Sequence, residues 1–93
     1  MRWYHVYILT NDSNTVLYTG VTGNIARRIY QHKNQLIKGF TSKYNVHKLV
    51  YSEEYNSIYD AIRREKQIKG GSREKKLKLI MGINPDFREL RVQ

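Results

Sequence analysis

Ninety-three residues with a formal charge of +9, from 17 Lys and Arg against 8 Asp and Glu, are enough for one small domain and leave no room for a second. The absence of cysteine excludes a disulfide framework and a thiolate zinc site, so aliphatic and aromatic packing must carry the fold. No apolar run approaches the ~18 residues of a membrane span, and the N-terminus lacks the apolar stretch of a secretory leader, so a soluble, cytoplasmic chain with no membrane partner is expected.

Residues 3–10, WYHVYILT, are rich in aromatic and β-branched types and predict a strand. The turn-forming cluster 11–14, NDSN, leads into a second strand over 15–19. A four-residue loop pairs Thr10 with Thr15 and sets Tyr7 opposite Tyr18 on one face of the hairpin. Gly20 and Gly23 flank a short connection, and Asn24 is placed to cap a helix over 25–37. A polar loop, 38–45, precedes a third strand over 46–55. Ser57 caps a second helix that stops at Gly70 and Gly71. Ser72 caps a third that runs to about Met81 and is ended by Gly82 and Pro85. The order β-β-α-β-α-α defines an α+β domain, a small three-stranded antiparallel sheet flanked by helices. Its core spans about 3–82, with a C-terminal tail, 83–93, that either docks as a short helix or frays. Trp3, Tyr51 and Tyr55 are expected in the core and His47 at the surface.

The positive charge is uneven. Between Arg63 and Lys78 there are eight basic residues and two acids, a bias that suits a polyanion, because Lys and Arg that neutralise phosphates release counterions. The plainer reading is a solvated helix face that keeps the chain in solution.

Helix geometry supplies the more specific signal. At 100° per residue, Ile58, Ala61, Ile62 and Ile68 share one face of the second helix, and Glu65 falls within that stripe. In the first helix Ile25, Ile29 and Leu36 mark the apolar face. Arg28 and His32 lie along it, whereas Arg27 projects about a hundred degrees away. A carboxylate on an inward stripe is costly unless a cation, a metal or hydrogen bonds compensate it. An internal Arg28–Glu65 salt bridge with His32 as a satisfied partner is one solution. The other is chemical: a cation for a phosphate, a hard oxygen ligand, and hydroxyl or imidazole groups for proton transfer, which is what phosphodiester hydrolysis requires.

Val6-Tyr7 and Tyr18-Thr19-Gly20, followed by Arg28, His32 and a glutamate in the helix AIRREKQIKG (Glu65), resemble the ordered motif of the GIY-YIG nucleases, most closely their small single-domain bacterial branch. His5 stands where the first half-motif has glycine, and Thr19 replaces isoleucine in the second. The asparagine that some members carry after the glutamate has no well-spaced match; Asn84 is the nearest. The resemblance implies a metal-dependent endonuclease hydrolysing DNA by a single-metal mechanism. Tyr7, Tyr18, Arg28, His32 and Glu65 are then catalytic, and Glu65 holds one Mg2+ or Mn2+. Tyr7 is the favoured base and His32 a relay. Lys43, Tyr44, Arg63, Lys69 and Lys76 are the expected substrate contacts, with Phe40 and Tyr44 either stacking on bases or anchoring their loop. The partner is nucleic acid, DNA in the first instance, and a monomer is the favoured state. The competing readings are a nucleic-acid-binding module of the same fold without useful turnover, and a protein-interaction domain, for which an inward glutamate has no use.

Overall fold

The computed structural model describes residues 2–92. Two strands, β1 (Tyr4–Thr10) and β2 (Leu17–Thr22), lead to helix α1 (Ile25–Lys33) and a single helical turn, α2 (Phe40–Lys43). Strand β3 (Lys48–Tyr55) and helices α3 (Ile58–Lys69) and α4 (Arg73–Ile83) follow. The sheet is antiparallel with order β2-β1-β3, so the expected class and element order hold, with α2 added inside what reads as a loop.

Alternation along β1 divides the core. Val6 and Ile8 join Val50, Tyr51, Ala61, Ile68 and Ile80 in the layer beneath α3 and α4. Tyr7 and Leu9 join Ile29, Val46 and Leu49 in the layer that contains α1. Each long helix starts on a side-chain cap: Asn24 accepts from the Arg27 amide, Ser57 from Asp60 and Ser72 from Lys75.

Four expectations need correction. The hairpin loop is six residues, not four, because Thr10 pairs with Leu17 and Tyr7 with Gly20. The Asn11 side chain causes this, accepting hydrogen bonds from the amides of Thr15 at 2.8 Å and Val16 at 3.1 Å, so those residues close the loop instead of pairing across it. A two-residue slip preserves facing, so Tyr7 and Tyr18 still share a face, now diagonally. Second, α1 ends at Lys33, not 37. The Asn34 side-chain Nδ2 donates to the Tyr30 carbonyl at 2.8 Å and Gln35 turns left-handed at φ 53°, leaving Leu36 62% exposed instead of on an apolar face. Third, Trp3 precedes the sheet and is 45% exposed instead of buried. Fourth, α4 carries Gly82 within it and ends at Ile83, two residues beyond the expected Met81, with Asn84 as its C-cap.

Two readings become more definite. His47, expected at the surface, is partly exposed, and its Nε2 lies 3.6 Å from an Asp12 carboxylate oxygen. The tail docks in extended form, not as a helix. Phe87 packs on one core layer and Leu90 and Val92 on the other, Lys33 pairs with Glu89, and the Leu90 amide donates to the Leu49 carbonyl at 2.8 Å. Asn84 is an anchor for this segment. Its side-chain amide donates to the Val50 and Arg88 carbonyls, and its Oδ1 accepts from the Arg88 amide.

Candidate active site

The second half-motif owes its glycine to packing. Gly20 lies directly across from Tyr7 in the sheet, and a Cβ there would sit 2.5 Å from Cζ and Oη of the Tyr7 ring. Only a residue without a side chain lets that ring lie flat over the neighbouring strand. Tyr7 itself is fully buried, so the ring has nowhere to retreat. Gly20→Ala is therefore expected to cost about 1–3 kcal/mol of stability, read by urea denaturation; an unchanged midpoint would show that the ring can move.

Around Tyr7 the aromatic side chains form a continuous group. Its hydroxyl lies 3.3 Å from Nε2 of His32, whose Nδ1 lies 3.2 Å from the Thr41 hydroxyl. The Tyr18 ring stands 6.4 Å from Tyr7 and 5.8 Å from His32, between centroids. Phe40 stacks on Tyr18 and Tyr44 leans on Phe40. These ring contacts anchor the α2 turn, and both outer rings remain about half exposed. Thr41 was not legible as a participant; it becomes one because α2 turns its hydroxyl toward His32.

The helix stripes act as the 3.6-residue period requires. Arg27 is exposed and Arg28 turns inward, half-buried. His32 is buried. On α3, Ala61 and Ile68 are buried and the Glu65 side chain is 12% exposed, but Ile62, expected on the same face, is exposed because it lies at the edge of that stripe. Glu65 makes no ion pair with Arg28 among the described residues. Its partner is Lys69 one turn on, at 2.8 Å, whose ammonium also lies 5.8 Å from the Tyr18 ring. That contact brings Glu65 and Lys69 beside the tyrosines.

The electrostatics follow from burial. Desolvation first, then the neighbouring Tyr18 and the Glu65 carboxylate, push the Tyr7 phenol up to about 12, against the pull of the Arg28 charge. In the resting protein Tyr7 keeps its proton at neutral pH. His32 is lowered from the ordinary histidine value, by burial first and then by Arg28, so it is neutral there. Bonded through Nδ1 to Thr41, it can present a free Nε2 lone pair to the Tyr7 hydroxyl.

Glu65 is the one carboxylate at this cluster that can serve a metal; among the described residues no three His, Asp or Glu side chains converge. One carboxylate fits a hard divalent cation that keeps water and takes phosphate oxygens, and does not fit an all-protein cage. Lys69, more than half exposed, can swing into solvent to free the carboxylate.

The expected substrate contacts separate. Lys43 lies over the Tyr44 ring at 5.4 Å, and with Lys69 it borders the aromatic group. Arg63 is 80% exposed and pairs with Asp60. Lys76 lines a groove of about 520 Å³ between α3 and α4, with Arg64, Lys75 and Lys78, that none of the site's aromatic residues touches. Arg64 is tied down, since its guanidinium grips Glu53 at 2.9 Å and the hydroxyls of Tyr51 and Tyr55 donate to the same carboxylate. Burial raises Glu53, but these donors outweigh it and hold it below the ordinary carboxylate value. This knot on the α3 side of the sheet was missed because its acid and base come from separate elements.

The chain belongs to the GIY-YIG family, whose catalytic domain matches residues 3–78; this is a nuclease-type domain, which points to nucleic acid as the substrate class. The chain is similar to a UPF0213 protein of Staphylococcus haemolyticus, 40% identical over 86% of this chain and 96% of that one. It is also similar to one of Syntrophus aciditrophicus, 40% identical over 82% and 87%. The solution NMR structure of a UPF0213 protein from Bacillus halodurans has the same fold, with a TM-score of 0.60 at 29% identity, covering 94% of this chain and 92% of that one. No helix among the described residues is long and apolar enough to cross a membrane.

Proposed function

We propose that the chain is a metal-dependent endonuclease that hydrolyses DNA phosphodiester bonds at the Tyr7–Tyr18–Arg28–His32–Glu65 cluster. The observation that carries this reading is the Tyr7–His32–Thr41 chain of polar groups, held next to an inward arginine and a carboxylate. A structural ion pair alone does not call for such a chain. A divalent cation bound at Glu65 would supply Lewis-acid stabilisation of charge on the phosphate and leaving oxygen.

The protein's own residues do the rest. Arg28 offsets charge building on the phosphate. Tyr7, neutral at rest, orients the attacking water. It takes that water's proton as its own hydroxyl proton passes to Nε2 of His32, which avoids forming a free phenolate in a site that disfavours one. Thr41 fixes the imidazole, and Tyr18 closes the other side of the cluster.

Lowering of the His32 pKa sets a pH window. As pH falls below ~6.5, the usual histidine value, the unfolded chain takes up a proton that folded His32 refuses, so stability declines from there downward. Urea denaturation at pH 7 and pH 5 is expected to show this loss, and His32→Asn to shrink it; an equal loss in both proteins would assign it to other groups.

Nicking of supercoiled plasmid tests the function directly. Wild-type protein should nick with Mg2+ or Mn2+ and fall silent in EDTA. Salt-dependent DNA binding with no cleavage in either metal would make the chain a binding module of this fold, a reading the basic groove between α3 and α4 also suits.

A further inference from the structure

At the N-terminal end of α1 a polar pocket of about 300 Å³ is lined by Arg2, Thr22, Gly23, Asn24, Arg27, Arg28 and Gln31. Three guanidinium groups and no carboxylate face it. Among the described residues none of the three arginines takes part in an ion pair, and the first turn of α1 carries no acid. Arg2 is exposed, but its guanidinium lies along the protein surface. It lies 5.4 Å from the Tyr4 ring and passes so close over Gly23 that a Cβ there would stand 2.6 Å from its Nη2. Crowding three like charges, one of them ordered by packing, costs repulsion and side-chain entropy and returns nothing to the free fold. An anion among them reverses that balance, and the guanidinium fork matches phosphate oxygens.

Arg28 links this pocket to the catalytic cluster, since its charge acts directly on Tyr7. We propose that Arg2, Arg27 and Arg28 form a phosphate-binding subsite that holds a backbone phosphate neighbouring the one placed at Tyr7, so setting the register of the strand. The assignment rests on the nuclease reading for the position of the cleaved phosphate, but its binding test does not need turnover.

The probe is a fluorescein-labelled DNA duplex, followed by anisotropy in EDTA over about 50 to 200 mM salt. Arg2→Ala combined with Arg27→Ala is expected to weaken binding and to reduce the slope of log affinity against log salt by about one. Both side chains are exposed, so the fold is expected to survive, with circular dichroism as the check. Gly23→Ala, which displaces the Arg2 guanidinium without changing charge, should weaken binding in the same direction. A single neutral methylphosphonate linkage, moved along the strand, should find one position at which wild type loses affinity and the double variant does not.

A slope and affinity equal to wild type in the double variant would overturn the subsite, whether or not wild type nicks plasmid. If no internal linkage matters, and wild type instead prefers a 5′-phosphate end over a 5′-hydroxyl, the pocket binds strand ends and the neighbouring-phosphate assignment falls. Variants that lose slope while wild type never cleaves would leave the subsite standing and remove the nuclease reading.

Discussion

Replacing Glu65 by glutamine is expected to cut metal-dependent nicking by at least about 10²–10³-fold, while leaving the fold and the metal-free affinity for DNA intact. Glutamine keeps the shape of the side chain and removes the one negative charge the cluster offers a cation. The partner left behind, Lys69, is more than half exposed and is solvated when it loses the pair. Partly exposed pairs one helical turn apart contribute only about 0.3–0.5 kcal/mol, so a melting shift of more than a few degrees is not expected. Metal-free DNA binding should hold or tighten, because a charge repelling phosphate has gone. A variant that unfolds would make Glu65 a structural residue, and one that nicks at the wild-type rate would move the metal elsewhere.

Tyr7→Phe is the second large effect, a fall of about 10²–10⁴-fold in the rate at saturating DNA with little change in affinity. The buried ring stays and continues to lie over Gly20, so packing is retained. The hydroxyl goes, and with it the 3.3 Å contact to His32, at a stability cost of about 1 kcal/mol. Single-turnover cleavage beside equilibrium binding separates the two quantities. A rate loss under about tenfold would mean that water loses its proton directly to His32 or to solvent, and Tyr18→Phe would then need the same measurement. Phenylalanine at position 7 should also flatten any dependence of the rate on His32, because the imidazole no longer has a route to the water.

Local periodicity reaches a long way into this structure. The separation of Arg28 from Arg27, and the inward placement of His32 and Glu65, depend only on the pitch of a helix and the position of its apolar residues. Ser57 and Ser72 cap the helices they precede because hydroxyls at those positions satisfy amides that the helix cannot. Pairings between elements are harder. The hairpin register turned on one asparagine side chain, Asn11, taking backbone amides away from the ladder. The partner of Glu65 is Lys69, four residues away, but the sequence offers Arg28 just as readily until the position of α3 along β2 is known. Thr41 and Glu53 were silent because each acquires meaning from a residue brought to it by the fold, His32 in one case and Arg64 in the other. Trp3 misled because an aromatic residue at a strand's beginning has the same composition signal whether the sheet covers it or stops short.

Strand β3 has a bulge: Val50 has no partner in β1, since Tyr51 pairs with Ile8 and Leu49 with Leu9. The successive carbonyls of Leu49 and Val50 are both taken by the C-terminal segment, one by the Leu90 amide and the other by the Asn84 side chain. A sheet margin with free acceptors is a template on which a second chain can grow by strand addition. Here the chain's own residues 84–92 occupy that stretch of the margin. The C-terminal segment, which contributes no group to the Tyr7–His32 cluster, thus covers a stretch of the margin where strand addition could otherwise begin.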